Sequence, residues 1–233
     1  MARKNINLAD VLPQLSALLD LLDEEQRATI VKHATVHVYK KNEAIYSEGE
    51  MPAYMFCLVS GKVKIFKDGV GGRSQIVRVL RPMGYFGYRA AFAGQNYITS
   101  SSALETSVII RIPIGTVMHL IFENARLGWF FCERLAMDLG QADERVVSLT
   151  QKHIRGRLAE SLLFLYESYG VEEDGCTLSI YLSREDLACL SNMTTSNAIR
   201  TLSAFASEKI VAVDGRKIKV LERGKLEKIS RIG

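Results

Sequence analysis

Apolar and polar positions change their period along this chain. From Thr35 to Pro113 they come in short runs, Val36 to Tyr39, Tyr54 to Val59, Val63 to Phe66, Ile76 to Leu80 and Ser107 to Ile112, separated by glycines and polar turns. Such closely spaced runs predict strands of a compact antiparallel barrel or roll. Ahead of them residues 8 to 34 are helix-like, with Asp23, Glu24, Glu25 and Gln26 opening a segment whose Ile30 and Val31 share one side.

Between Gly128 and Leu149 the period becomes helical. Gly128, Cys132, Leu135, Leu139, Ala142, Val146 and Leu149 alternate steps of four and three, a heptad seam that predicts coiled-coil-like pairing of two copies. Glu133, Arg134, Asp138, Glu144 and Arg145 flank the seam, able to face water or the partner. Leu127, Phe130 and Phe131 offer a second apolar side that could rest on the roll. The alternative is one long helix lying on its own domain. Residues 152 to 169 predict a further amphipathic helix through Ile154, Leu158, Leu162 and Leu165, ending at the polar turn Glu172 to Gly175, with a hinge near Thr150 to His153.

The stretch Leu182 to Ser203, LSREDLACLSNMTTSNAIRTLS, predicts two short helices around a tight turn. Ser183 can cap the first, with Asp186 reaching back as in a capping box, and Leu187, Ala188 and Leu190 supply its apolar side. Asn192 tolerates the left-handed turn that follows. Thr194 can cap the second helix, in which Ala198, Ile199, Leu202 and Phe205 fall at helical spacing on a face expected to be buried. The other face carries Thr195, Ser196, Asn197 and Arg200, short hydrogen-bonding groups and one guanidinium suited to base edges or phosphates. Then Lys209 to Val220, KIVAVDGRKIKV, predicts a hairpin about Asp214-Gly215, a wing carrying Arg216 and Lys217. Helix, turn, helix and wing in that order form a reader of duplex DNA.

From Arg200 onward nine Lys and Arg face four Asp and Glu, 9 − 4 = 5 net positive charges for phosphate contact, whereas the whole chain of 233 residues carries only +4. The length suggests two domains. No run approaches the ~18 apolar residues that span a bilayer, and Leu15 to Leu22 lacks the flanks of a secretion signal, so a cytoplasmic protein is expected with no membrane partner. Cys57, Cys132, Cys176 and Cys189 are scattered without C-x-x-C spacing, so buried reduced thiols are expected and no metal site is assigned. There is no P-loop, nucleophile elbow, His-Glu-x-x-His or paired acid motif; no catalytic residue is assigned and an enzyme is not expected.

Roll, long helix and helix-turn-helix with wing, in this order and length, resemble the catabolite-activator/FNR (CRP/FNR) family of bacterial transcription regulators over nearly the whole chain. The likeness rests on Tyr46 to Glu50 (YSEGE), Val59 to Val63 (VSGKV), Gly84 to Gly87 (GYFG) and the Leu182 to Leu202 motif, with Gly49, Gly61, Gly84 and Gly87 at turn positions. The resemblance implies an α+β protein: a β-roll of the cyclic-nucleotide-binding jelly-roll type with an N-terminal helix in residues 1–118, a dimerisation helix in 119–151 and a winged helix-turn-helix in 152–233.

This chain departs from the family where cyclic nucleotides bind. In place of the Gly-Glu-Leu cassette it has Gly87, Tyr88, Arg89 and Ala90, and in place of the later Arg-Ser it has Tyr97, Ile98, Thr99 and Ser100. The missing Glu and Arg, and Ala142 where a polar adenine contact falls, speak against cyclic AMP in the usual mode. Tyr85, Tyr88, Arg89, Tyr97, Thr99 and Ser100 are candidate residues for a pocket with another effector, the aromatic ones being equally readable as core. No Cys precedes Cys57, which speaks against an FNR-type iron-sulfur cluster. Haem stays open, since His33, His37, His119, Met83 and Met118 could ligate iron, although no spacing singles out a pair. At the recognition helix, Ser196 replaces the frequent Glu while the later Arg is kept as Arg200, implying similar docking on an altered half-site.

The expected function is therefore a homodimeric, sequence-specific DNA-binding transcription regulator governed by an unidentified effector sensed in the roll, acting on a near-palindromic operator and, by the resemblance, on RNA polymerase. Its DNA contacts would come from Thr194, Thr195, Ser196, Asn197, Arg200, Arg216 and Lys217, and its dimer contacts from Cys132, Leu135, Leu139, Ala142, Val146 and Leu149. The alternative is a small-molecule-binding module working through protein contacts without DNA.

Overall fold

The computed structural model describes residues 6–69 and 72–232. Pro13 and the run of leucines around it divide the N-terminal segment into short pieces, α1 (Leu8–Val11), a 3-10 turn, α2 (Ser16–Leu19) and α3 (Glu24–His33). A reciprocal capping box at Asp23 and Gln26 starts α3, where the acidic run of the sequence had marked a helix start. Among the described residues the strands follow the predicted runs and add short ones: β1 (Thr35–Tyr39), β2 (Ala44–Tyr46), β3 (Tyr54–Ser60), β4 (Val63–Asp68), β5 (Ser74–Leu80), β6 (Tyr85–Phe86), β7 (Ser100–Ala103) and β8 (Ser107–Pro113), then β9 (Val211–Asp214) and β10 (Lys217–Val220). The remaining helices are α4 (Tyr88–Phe92), α5 (Ile114–Glu123), α6 (Ala125–Gln151), α7 (Ile154–Tyr169), α8 (Arg184–Leu190), α9 (Thr195–Ser207) and α10 (Arg223–Ile232).

Strands β1 to β8 form two four-stranded sheets, ordered β1-β8-β3-β6 and β2-β7-β4-β5. Strand alternation shows which faces are covered. Along β3, Phe56 and Leu58 join a core cluster with Tyr46, Val63 and Ile65 of the other sheet. Their neighbours Met55 and Cys57 point the opposite way, into a second cluster with Leu15, Leu18, Ile30, Leu120 and Phe131 of the helices. Strand β8 does the same with Ile109 on one side and Ile110 and Ile112 on the other. A sheet buried on both faces is what its continuous apolar run requires. Burial pushes the Cys57 thiol up to about 12, so it stays protonated.

Two glycines are needed where they stand. Gly61 has φ +89°, and a Cβ there would lie 2.3 Å from Ser107 Oγ; Gly87 has φ +85° and would meet Phe56 Cδ2 at 2.5 Å. The chain divides into two compact units, residues 1–67 with 78–139 and residues 68–77 with 140–233, so α6 contributes to both. Residues 152 and 153 interrupt the helix between α6 and α7, at the predicted hinge. All four cysteines are free; Cys57 and Cys189 are buried as expected, but Cys176 is half-buried and Cys132 is exposed.

Candidate nucleic-acid interface

Ser183 Oγ accepts from the Asp186 amide at 3.0 Å and starts α8, while its hydroxyl donates to the Asp186 carboxylate at 2.6 Å. The turn passes through Asn192 at φ +49°, the left-handed conformation its residue type allows. Thr194 Oγ1 accepts from the Asn197 amide at 3.2 Å and starts α9. Ala198, Leu202 and Phe205 are buried with Leu187, Ala188 and Leu190, which fixes α9 against the second unit by one face.

Ile199 corrects the sequence reading. It was expected on the buried side, yet it is 47% exposed. At 100° per residue, 198, 202 and 205 span only about 60°; 199 lies about 90° from the middle of that stripe, at its edge, and 203, 196 and 200 lie farther round. The free face of α9 therefore carries Thr195, Ser196, Ile199, Arg200 and Ser203, all exposed. Asn197 is half-buried and its Oδ1 accepts from Arg200 Nη2 at 2.8 Å.

The wing closes through Gly215 and Arg216 rather than Asp214 and Gly215, since Asp214 pairs with Lys217 in the ladder and Gly215 takes φ +54°. Arg184 Nη2 donates to the Gly215 carbonyl at 2.6 Å, tying the wing tip to the start of α8. The wing's other anchor is Asp174. Its carboxylate accepts from the Thr177 hydroxyl (2.5 Å) and from the amides of Thr177 (2.8 Å) and Cys176 (3.1 Å), while Lys219 Nζ donates at 3.2 Å. These donors hold the Asp174 carboxyl well below the usual carboxylate range, the Thr177 hydroxyl contributing most, and Asp174 in turn raises Lys219.

Pairing also trims the positive excess counted in the sequence. Lys217 lies 3.8 Å from Glu172, Lys219 3.2 Å from Asp174, Arg223 2.9 Å from Glu227 and Lys225 3.9 Å from Glu222. Arg200 and Arg216 are exposed and form no ion pair among the described residues. Those two lie on the free face of α9 and at the wing tip.

On α6, Cys132, Leu139, Ala142 and Val146 are exposed, and Leu135 and Leu149 half-buried. Trp129 (71%) and Met137 (62%), which the heptad pattern omitted, are exposed beside them. Leu127 and Phe131 are buried in the roll-side cluster, which Phe130 and Leu135 join. Three flanking charges expected to face water or a partner turn inward instead. Asp138 takes a bidentate pair from Arg78 at 2.7 Å on each oxygen, Arg134 lies over the Tyr85 ring at 4.9 Å, and Arg145 donates to backbone carbonyls. A polar group at a helix flank goes where unpaired carbonyls or carboxylates await it, which spacing does not record.

The six candidate effector residues do not surround one space. Tyr85 and Tyr88 are buried in the helix-side cluster, Tyr85 edge-on to Phe130 at 5.7 Å and Tyr88 5.0 Å from Phe131. Tyr97 belongs to the cluster between the sheets, stacked on Tyr46 at 3.9 Å. Burial raises the Tyr97 phenol, as it does Tyr85. Arg89 is exposed at the roll surface, and Thr99 and Ser100 are half-buried, with Ser100 Oγ accepting from the Glu48 amide at 3.0 Å. The five residues weighed for haem are spread over a helix end (His33), β1 (His37), a turn (Met83) and α5 (Met118, His119), with His119 3.3 Å from Glu123. No cluster of His, Cys, Asp or Glu able to hold a metal occurs among the described residues.

The order of these parts agrees with two families. The cyclic nucleotide-binding domain family matches residues 36–124 and the Crp-like helix-turn-helix domain family matches residues 156–229. The chain belongs to the CRP/FNR family. Two relatives of this CRP/FNR chain are the CRP-like cAMP-activated global transcriptional regulator of Mycobacterium tuberculosis, 20% identical over 88% of this chain and 92% of its own length, and the global nitrogen regulator of Nostoc sp., 24% identical over 84% and 89%. FixK2 from Bradyrhizobium japonicum shares the fold at a TM-score of 0.76, with 23% identity over 84% of this chain and 96% of its own. CRP/FNR proteins are DNA-binding transcription regulators. No helix among the described residues is long and apolar enough to cross a membrane.

Proposed function

We propose that this CRP/FNR chain acts as a homodimer that binds a near-palindromic duplex, inserting the N-terminal half of α9 from each copy into successive major grooves about 34 Å apart. The observation that carries the reading is the free face of α9, with Thr195, Ser196, Ile199 and Arg200 exposed while Ala198, Leu202 and Phe205 anchor the helix. Thr194 and Asn197 serve the helix start, and Arg216 and Lys217 lie on the wing where phosphates would pass. The exposed row Trp129, Cys132, Leu139 and Val146 supports pairing through α6, because a solvated monomer gains nothing from so many apolar side chains on one helix face.

Control through the roll accompanies this reading, with RNA polymerase as the downstream partner and cytoplasm as the compartment. The effector is not cyclic AMP held in the usual way: Tyr88 replaces the cassette Glu, and Tyr88 and Tyr97 are packed into core clusters. The polar residues left for a ligand are Arg89, Thr99 and Ser100 at the roll surface.

A fluorescence anisotropy titration of labelled duplex against salt tests the DNA reading, with binding expected to fall steeply as salt rises. Sedimentation velocity of the same protein is expected to report a dimer. Salt-independent or absent DNA binding would favour the module acting through protein contacts. An absorbance spectrum and ligand-dependent thermal shifts then separate haem from organic effectors.

A further inference from the structure

We infer that Ile199 reads the C5 methyl group of a thymine in each half-site, which makes it a specificity-determining residue; the inference rests on the DNA-binding reading above.

Ile199, 47% exposed, is the large apolar side chain on a helix face built otherwise from Thr195, Ser196, Arg200 and Ser203. About half of its surface stays in water in the free protein. The helix geometry decides what it could meet. Ile199 is the fifth residue of α9, about 6 Å of rise beyond Thr195, so it lies within the first turn and a half, the part of a recognition helix that approaches base edges. The residue one turn before it, Thr195, presents a methyl group at the i−4 position on the same side. Together their methyl groups form a small apolar patch flanked by Ser196 and Arg200.

In the major groove only one of the four bases exposes an apolar group, the thymine methyl; the other edges present donors and acceptors that isoleucine leaves unpaired. An isoleucine at this place therefore favours thymine and disfavours the other bases, which would lose hydrogen bonds to water. The adjacent Arg200, oriented by Asn197, is free to take an acceptor-rich neighbour such as guanine. The half-site is then expected to hold a thymine within a base pair or two of the position read by Arg200.

The test uses the full-length chain and a duplex that the chain itself selects from a randomised pool. Each thymine of one half-site is replaced in turn by deoxyuridine, which removes the methyl and nothing else, and the Kd is measured by anisotropy. Burial of one methyl is expected to change Kd about fourfold per half-site, and roughly fifteenfold when both are changed. At one position this penalty should appear with the wild-type chain, shrink with Ile199→Val and vanish with Ile199→Ser, while the penalties at other thymines stay the same in all three. Because Ile199 is exposed, the variants should melt like the wild type, and a merely structural role would shift all duplexes alike. A sequence-specific complex in which no deoxyuridine penalty depends on residue 199 overturns the inference and leaves the DNA reading standing. A pool from which no sequence is selected overturns both.

Discussion

Arg145 Nη2 donates to the carbonyl of Leu190 at 2.7 Å, so a residue of the long helix α6 closes the last turn of α8, immediately before the turn into the recognition helix. The same guanidinium donates to the carbonyls of Ile76 (2.7 Å) and Val77 (3.1 Å). All four residues belong to the second unit. One cation thereby donates to three backbone carbonyls, that of Leu190 at a helix C-terminus and two on strand β5, and burial pushes its pKa down from the ordinary arginine value.

Arg145→Ala is expected to destabilise the chain by on the order of 3 kcal/mol, since hydrogen bonds from a charged donor contribute about 1.5–3 kcal/mol each and solvent reaches part of this site. Thermal melts monitor the loss. Faster amide exchange around residues 190–194 than elsewhere would locate it, and Arg145→Lys should recover part of it, because an ammonium keeps the charge without the planar fork.

Arg200→Ala should weaken specific DNA binding by about 1–3 kcal/mol, roughly fivefold to 150-fold, with little change in nonspecific binding. Asn197→Ala, which removes the 2.8 Å hydrogen bond that orients Arg200, is expected to cost less and to relax discrimination at the same base pair. The same fold-loss of affinity in Arg200→Ala for the selected and the scrambled duplex would remove Arg200 from base reading.

Leu139 is 63% exposed at the centre of the α6 row. Leu139→Glu places like charges opposite one another in a twofold pair and is expected to shift the sedimentation coefficient toward monomer at micromolar concentration, leaving the melting of each chain nearly unchanged. An intact dimer would move the pairing surface elsewhere.

The Asp174 network predicts a pH dependence of definite sign. The folded carboxyl sits below its unfolded value, so its contribution is complete above pH ~4, the ordinary aspartate range, and is lost as pH falls through the depressed folded value. The melting temperature of wild type should therefore exceed that of Asp174→Asn by a constant margin from pH 7 to 5, and the margin should shrink below pH 4. A margin independent of pH would mean that the loop is held without the carboxylate.

Much of this arrangement was legible in local chemistry. Capping by Ser183 and Thr194, the left-handed turn at Asn192 and the wing hairpin follow from residue types whose preferences act within a few positions. The strands of the roll showed through alternation wherever one face was polar. The short strand Ser100–Ala103 did not, because its serines carry no hydrophobic period; Ser101 and Ser102 are buried by their place in the sheet. The turn residue of the wing was misplaced by one position, since the pairing of Asp214 with Lys217 depends on the register of both strands.

By itself the amino-acid sequence determined the order of the elements and the helix-turn-helix with its wing, consequences of period and of short-range hydrogen bonding, and its motifs carried the resemblance to the family. Tertiary structure decided which side of each helix was free. Ile199 moved to the exposed face because Ala198, Leu202 and Phe205 were the residues that found partners. Arg145 and Asp138 turned inward because carbonyls and a guanidinium from distant strands lay within reach. Such choices depend on contacts between residues remote in the chain, and no periodicity of one segment encodes them.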